Sequence, residues 1–240
     1  MFLESTSNRG KKRGWIEVVC GCMFSGKTEE LIRRMKRAEF ANQKVEIFKP
    51  MIDTRYSDRA VISHDQNSIH STPVQHSSQI LLLAQDVEVV GIDEAQFFDE
   101  DISRVATELA NNGTRVIVAG LDLDYLGRPF GPMPTLLALA EFVTKVHAIC
   151  IKTGNLAHHS YRIVEGSDLV QLGEKESYIP LSREAFIEAM ERKENGNAQE
   201  MDLELIAFVE EFEAQREAAR QQRMAYLKAY QESVADTPSE

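Results

Sequence analysis

The chain has 240 residues, 43% of them hydrophobic and 27% charged, with a formal net charge of −11. That length supports one sizeable core and a small second unit, and the acidic balance argues against a nucleic-acid duplex as the main partner while leaving room for a phosphate held by backbone amides and a few placed cations. No apolar run approaches the ~18 residues of a membrane span, the first residues lack the apolar stretch of a secretory leader, and three cysteines make no disulfide framework, so a reducing cytoplasm and no membrane partner are expected.

Residues 1–13 read as a loose tail. WIEVVC (Trp15–Cys20) is a short strand that stops at Gly21, and Thr28–Ala41 carries Leu31, Ile32, Met35 and Ala38 on one helical face. KVEIF (Lys44–Phe48) is a second strand, stopped by Pro50, and the polar stretch Ile52–Pro73 reads as an extended loop. Ile80–Ala84 is helical, VEVVGI (Val87–Ile92) is a strand buried on both faces, and Asp101–Asn111 is a helix ended by Asn112-Gly113. RVIVAGL (Arg115–Leu121) is another buried strand, followed by a helix at Pro134–Val143 and a strand at Lys145–Ile151. Strands alternating with helices predict an α/β fold, a mostly parallel sheet flanked by helices, over residues 14–149. Residues 150–186 hold turn residues and short β-like pieces (YRIV, LVQL), a small β unit or lasso. Residues 187–240 form an acidic helical extension with Leu203, Ile206, Phe208, Val209 and Phe212 as its apolar positions.

Gly21, Cys22, Met23, Phe24, Ser25, Gly26, Lys27 and Thr28 fit G-x-x-x-x-G-K-[ST], the P-loop, with a strand before and an amphipathic helix after. Glycines let the backbone curl so that its N–H groups point inward, and the helix begins at its positive dipole end. Lys27 then reaches the β- and γ-phosphates and the Thr28 hydroxyl ligates Mg²⁺. The bland alternative is a glycine-punctuated turn with a stray lysine. The apolar run ending in Asp93-Glu94 supplies the second acidic element: Asp93 at a strand end beside the P-loop, Glu94 next to the γ-phosphate. These two motifs alone permit an ATPase, a small-molecule kinase or a switch protein.

The segments GCMFSGKTEELIRRMKRA, FKPMIDTRYS, SHD, GIDEAQFF, VIVAGLD and RPFGPMP, in that order over about residues 14–186, resemble the type II thymidine kinases, the cellular tetrameric family. The resemblance implies a P-loop kinase fold and transfer of the γ-phosphoryl of ATP to the 5′-hydroxyl of thymidine. It makes Glu94 the general base, with Asp93 holding Mg²⁺ through water and Ala95 and Gln96 completing the nucleotide side. Asp53, Thr54 and Arg55 match a segment near the phosphates, where Arg55 either stabilises transition-state charge or makes a structural ion pair. Met23, Phe97, Leu121 and Tyr125 fall where the family encloses thymine, although phenylalanine is usual at the position of Tyr125. Leu169, Val170, Gln171, Leu172, Gly173 and Tyr178 match the lasso that closes over the nucleoside, with Ser160 at another pocket position. A homotetramer and feedback binding of thymidine triphosphate are further implications.

One element departs from the family. Its lasso hangs from a four-ligand zinc site, built as C-x-x-C followed some thirty residues later by C-x-x-C or C-x-x-H. Here the pairs read Cys150-Ile151-Lys152-Thr153 and Ser182-Arg183-Glu184-Ala185, so only Cys150 survives and no structural zinc is expected. His158 and His159 lie between, but adjacent residues rarely point at one ion. Cys150 is then a buried small hydrophobe, and Ile151, Leu156, Leu181 and Phe186 are left to hold the hinge by packing. The extension either clamps the lasso in place of zinc, adds an oligomer contact, or is a solvated helix. Two other functions stay open: a nucleotide-binding regulator without turnover, and a kinase of another deoxynucleoside.

Overall fold

A computed structural model describes residues 13–51, 60–62, 68–163 and 177–195, with a few further positions between 203 and 224. Its centre is a six-stranded, wholly parallel sheet built from β1 (Trp15–Cys20), β2 (Val45–Pro50), β5 (Thr72–Val74), β6 (Val89–Ile92), β7 (Arg115–Gly120) and β8 (Phe142–Lys145). The strand order is β5-β2-β6-β7-β1-β8. Successive side chains of a strand point to opposite faces, and both faces here are covered. Ile16, Val18 and Cys20 of β1 and Val116 and Val118 of β7 pack on one side with α2 (Gln79–Leu83), α3 (Ile102–Asn111) and α4 (Met133–Leu139). Ile117 and Ala119 of β7 pack on the other side with Leu31, Ile32, Met35 and Ala38 of α1 (Lys27–Phe40). These residues share one stripe of α1, as their spacing predicts, and the helix stops where Asn42 turns left-handed at φ 58°.

Three expectations are corrected. Ile52–Pro73 is not all loop: β3 (Ala60–Ile62) pairs antiparallel with β4 (Ser68–His70), and β5 follows at once. Pro73 argues against a strand only in a sheet interior; β5 is the outer strand, where a missing N–H is tolerated. The helix predicted to run to Val143 ends at Leu139, because Phe142–Lys145 pairs in parallel with β1 and its aromatic and β-branched residues suit that surface. The following strand is only β9 (Ala148–Ile149).

β9 pairs with β10 (Leu156–Ala157), and β11 (His159–Arg162) pairs with β12 (Tyr178–Leu181). These two ribbons and α5 (Arg183–Glu194) enclose a second core of Ala148, Cys150, Ala157, Tyr161, Ile179, Leu181, Ala185, Phe186 and Ala189. Of the predicted hinge residues, Leu181 and Phe186 are buried, Ile151 packs partly, and Leu156 is exposed. Among the described residues of the extension, Ala189 and Leu205 are buried, whereas Leu203 and Phe208 face outward. Val209, Phe212 and the piece LVQL lie outside the described residues.

Candidate active site

Because the sheet is parallel, the loops after β1, β6 and β7 leave from one edge, where ligands of open α/β sheets bind. The loop after β1 is the cradle. A Cβ on Gly21 would lie 2.1 Å from the Val146 carbonyl oxygen, so only glycine permits that approach. Phe24 and Gly26 are left-handed (φ 63° and 86°), and Gly26 is the N-cap of α1 without a side-chain cap. Glu30 N–H donates to Gly26 C=O, so the N–H groups of Lys27, Thr28 and Glu29 precede the first intrahelical bond and are free for an anion. Lys27 Nζ donates to Cys22 C=O at 2.9 Å and Ser25 Oγ to the same oxygen at 2.7 Å, so the ammonium lies across the loop. Burial pushes the Cys20 thiol up to about 11 and raises that of Cys22, which leaves both inert at neutral pH.

The support beneath the cradle was not foreseen. Glu17 sits between Ile16 and Val18, so it points towards α1, where it pairs with Arg34 and with Arg115 of β7, both at 2.7 Å. Trp15 Nε1 also donates to Glu17, and Arg34 reaches Thr144 of β8. A charge within an otherwise apolar strand was the signal for this network. Burial raises the Glu17 carboxyl pKa, but hydrogen bonds and charge from Arg115, Trp15 and Arg34 outweigh it and leave the group below its ordinary 4.5.

Asp93 is buried directly after β6. β7 lies between β6 and the cradle strand, so Asp93 shares the edge with the P-loop from one strand further away than the sequence reading placed it. Glu94, half-buried, adopts φ 51°, ψ 42°, a left-handed conformation that costs a non-glycine residue about 1–3 kcal/mol and is common at functional sites. Gln96 holds it: its Nε2 donates to Glu94 Oε2 at 2.5 Å, and its Oε1 accepts from Leu121 N–H at 2.9 Å. Ala95 and Gln96 are both buried.

The predicted pocket residues Met23, Phe97, Leu121 and Tyr125 are all half-buried on these loops. Phe97 makes an edge contact with Phe130 at 5.7 Å, while Phe98 joins the core. Asp124 Oδ1 accepts from Leu126 and Arg128 N–H, a turn readable from D-x-x-G, and this fixes the loop that carries Tyr125. The Arg162 guanidinium covers the Tyr125 ring at 3.7 Å, a contact no local pattern announces. Ser160 is buried and accepts from Met23 N–H at 2.9 Å, so it braces the cradle; Tyr178 is buried opposite Arg162 in the ribbon. Asp53, Thr54, Arg55 and Leu169–Gly173 lie outside the described residues.

The residues fit a hard divalent cation: Thr28 in the first turn of α1 and buried Asp93 at the same edge offer oxygen donors. They do not fit a structural zinc, because Cys150, Thr153, Ser182 and Ala185 supply one thiol, two hydroxyls and a methyl. Burial raises the Cys150 thiol, but hydrogen bonds from the side chains and backbone of Thr153 and Ser182 bring it below its ordinary value. His158 packs edge-on to His147 at 4.6 Å while His159 stacks on Phe186 at 4.3 Å, so the adjacent rings face different partners.

A family model described as thymidine kinase matches residues 14–186. The thymidine kinase of Bacteroides thetaiotaomicron is 59% identical over 196 residues, which is 82% of this chain and 98% of that protein. The thymidine kinase of Bacteroides fragilis is 59% identical over 80% of this chain and 96% of its own length, and that of Rhodothermus sp. is 57% identical over 74% and 83%. The family model spans the cradle, the Asp93-Glu94 strand end and the ribbon that braces them, and the chain belongs to the thymidine kinase family.

Proposed function

We propose that this chain transfers the γ-phosphoryl of ATP to the 5′-hydroxyl of thymidine, with Glu94 as general base. The observation that carries this reading is the shared sheet edge: a cradle with free helix N–H groups, a carboxylate held in a strained conformation by Gln96, and a half-buried aromatic wall. The triphosphate lies on the loop amides with Lys27 over its outer phosphates. Mg²⁺, when bound through Thr28 and water on Asp93, neutralises phosphate charge. Glu94 takes the proton of the 5′-hydroxyl as the new O–P bond forms and the bond from γ-phosphorus to the β–γ bridging oxygen breaks, releasing ADP. Positioning and the fixed N–H groups contribute most of the remaining rate. A cytoplasmic homotetramer with feedback binding of thymidine triphosphate accompanies this reading by family likeness.

The test is phosphorylation of a nucleoside panel with Mg·ATP. Thymidine should be the best substrate and deoxyuridine weaker by about 10- to 100-fold in kcat/KM, since a pocket gains only about 1–3 kcal/mol from one methyl group. Nucleotide binding without phosphorylation would favour a regulator, and faster transfer to deoxycytidine would favour another nucleoside kinase.

Gln96 has a separable role. Gln96→Glu keeps an acceptor for Leu121 N–H but removes the donor to Glu94. The lost hydrogen bond to a charged group, about 1.5–3 kcal/mol, is replaced by a second buried carboxylate that repels Glu94, so kcat should fall about tenfold or more and the melting temperature should fall too, with KM for ATP near that of the parent. Steady-state kinetics beside thermal melts check this.

A further inference from the structure

Two turns meet at the base of the small β unit. In one, Cys150 N–H donates to Asn155 C=O at 2.7 Å and Gly154 N–H returns to Cys150 C=O at 2.9 Å. In the other, Ser182 caps α5, its Oγ accepting from Ala185 N–H. Cys150 and Thr153, like Ser182 and Ala185, are three residues apart, the spacing with which paired turns present ligands to a tetrahedral metal. Thr153 Oγ1 donates to Ser182 Oγ at 3.4 Å, which joins the turns, and Cys150 is fully buried among Leu181, Ala185 and Phe186.

We infer that this junction is a metal-free clamp in which the Thr153–Ser182 hydrogen bond, the capped start of α5 and the burial of Cys150 join the two turns where a metal ion would otherwise do so, and that Leu205 seals it from outside. Leu205 is 5% exposed and belongs to the same buried cluster, although it lies beyond residue 186, where the family match ends. The clamp also supports the cradle. Cys22 of the P-loop is part of the cluster and its Sγ donates to Ala157 C=O, while Ser160 on the adjoining ribbon holds Met23 N–H. Leu205 of the extension and Cys22 of the phosphate loop thus belong to one buried cluster, through which the extension bears on the loop.

The test uses the full chain. The parent should carry well under one equivalent of zinc and melt at the same temperature with or without a strong chelator. One equivalent, or a chelator-dependent melt, overturns the inference. The triple variant Thr153→Cys, Ser182→Cys, Ala185→Cys restores four thiols on the same frame. It should bind one zinc per chain and melt higher as zinc is added, because binding to the folded state alone is stabilising. A folded triple variant that ignores zinc shows that the four positions do not converge, and overturns it too. If the triple variant does not fold with or without zinc, Leu205→Ala decides. Loss of a sealing leucine should lower the melting temperature by about 5 °C or more, and an unchanged melt refutes the seal.

Discussion

Glu94→Gln should lower kcat at least about a hundredfold, the lower end of what a positioned general base contributes. Glutamine keeps the volume of the side chain and tolerates the left-handed backbone at φ 51° no worse than glutamate, so the fold and its local strain are conserved. What disappears is a carboxylate able to accept the 5′-hydroxyl proton. The cradle is untouched, since Lys27 and the first turn of α1 depend on Cys22 and Gly26 rather than on residue 94. KM for ATP should therefore change little, and the loss should fall on turnover. Initial rates at saturating Mg·ATP and thymidine measure it. A variant as fast as the parent would remove Glu94 from the chemistry.

The largest effect on stability should come from Glu17. Glu17→Gln leaves Arg115 facing a neutral amide and Arg34 with Glu30 as its remaining carboxylate, and breaking a buried ion pair from one side typically costs about 3–5 kcal/mol. For a chain of this size the melting temperature should drop by roughly 6–20 °C. The same network sets part of the acid response. The folded-state pKa of Glu17 lies below its ordinary 4.5, so its contribution is complete above about 4.5 and is lost as pH falls through the depressed value. His159 adds a second window: burial first, then the charges of Arg183, His158 and Lys145, lower it from 6.5 to about 4. A histidine held neutral in the fold contributes stability above about 6.5 that drains away down to about 4. Melting curves from pH 7 to pH 3 should fall in two stages. Glu17→Gln should flatten only the more acidic one; identical slopes in parent and variant would show that Glu17 is not the group that titrates.

Much of the fold was legible because its strands are buried on both faces and its helices carry one apolar stripe. Trp15–Cys20 and Arg115–Gly120 read as continuous apolar runs, and Leu31, Ile32, Met35 and Ala38 mark the inner face of α1. Legibility failed where pairing partners decide the outcome. Thr72–Val74 and Phe142–Lys145 are outer strands of the sheet, and nothing within them says which edge will recruit them. The candidate site divides the same way. Gly21–Thr28 and Asp93-Glu94 are contiguous motifs whose spacing carries their chemistry. The Gln96–Leu121, Ser160–Met23 and Arg162–Tyr125 contacts join residues far apart in the chain, and no local pattern encodes them. Leu205 was missed for a related reason: its neighbours Leu203 and Phe208 are equally apolar, and only the position of the second core tells them apart.

The placing of β7 between β6 and β1 also sets a distance. Two strand widths set the ends of the outer pair about 9.5 Å apart, room for a phosphorus atom with an alcohol oxygen behind it. Adjacent strand ends would lie only about 4.8 Å apart, with their loops in direct contact. Here the lysine rests on a carbonyl of its own loop and the glutamate on an amide. The middle strand thus acts as a spacer between the loop that carries Lys27 and the strand end that carries Glu94, the separation that the proposed reaction needs.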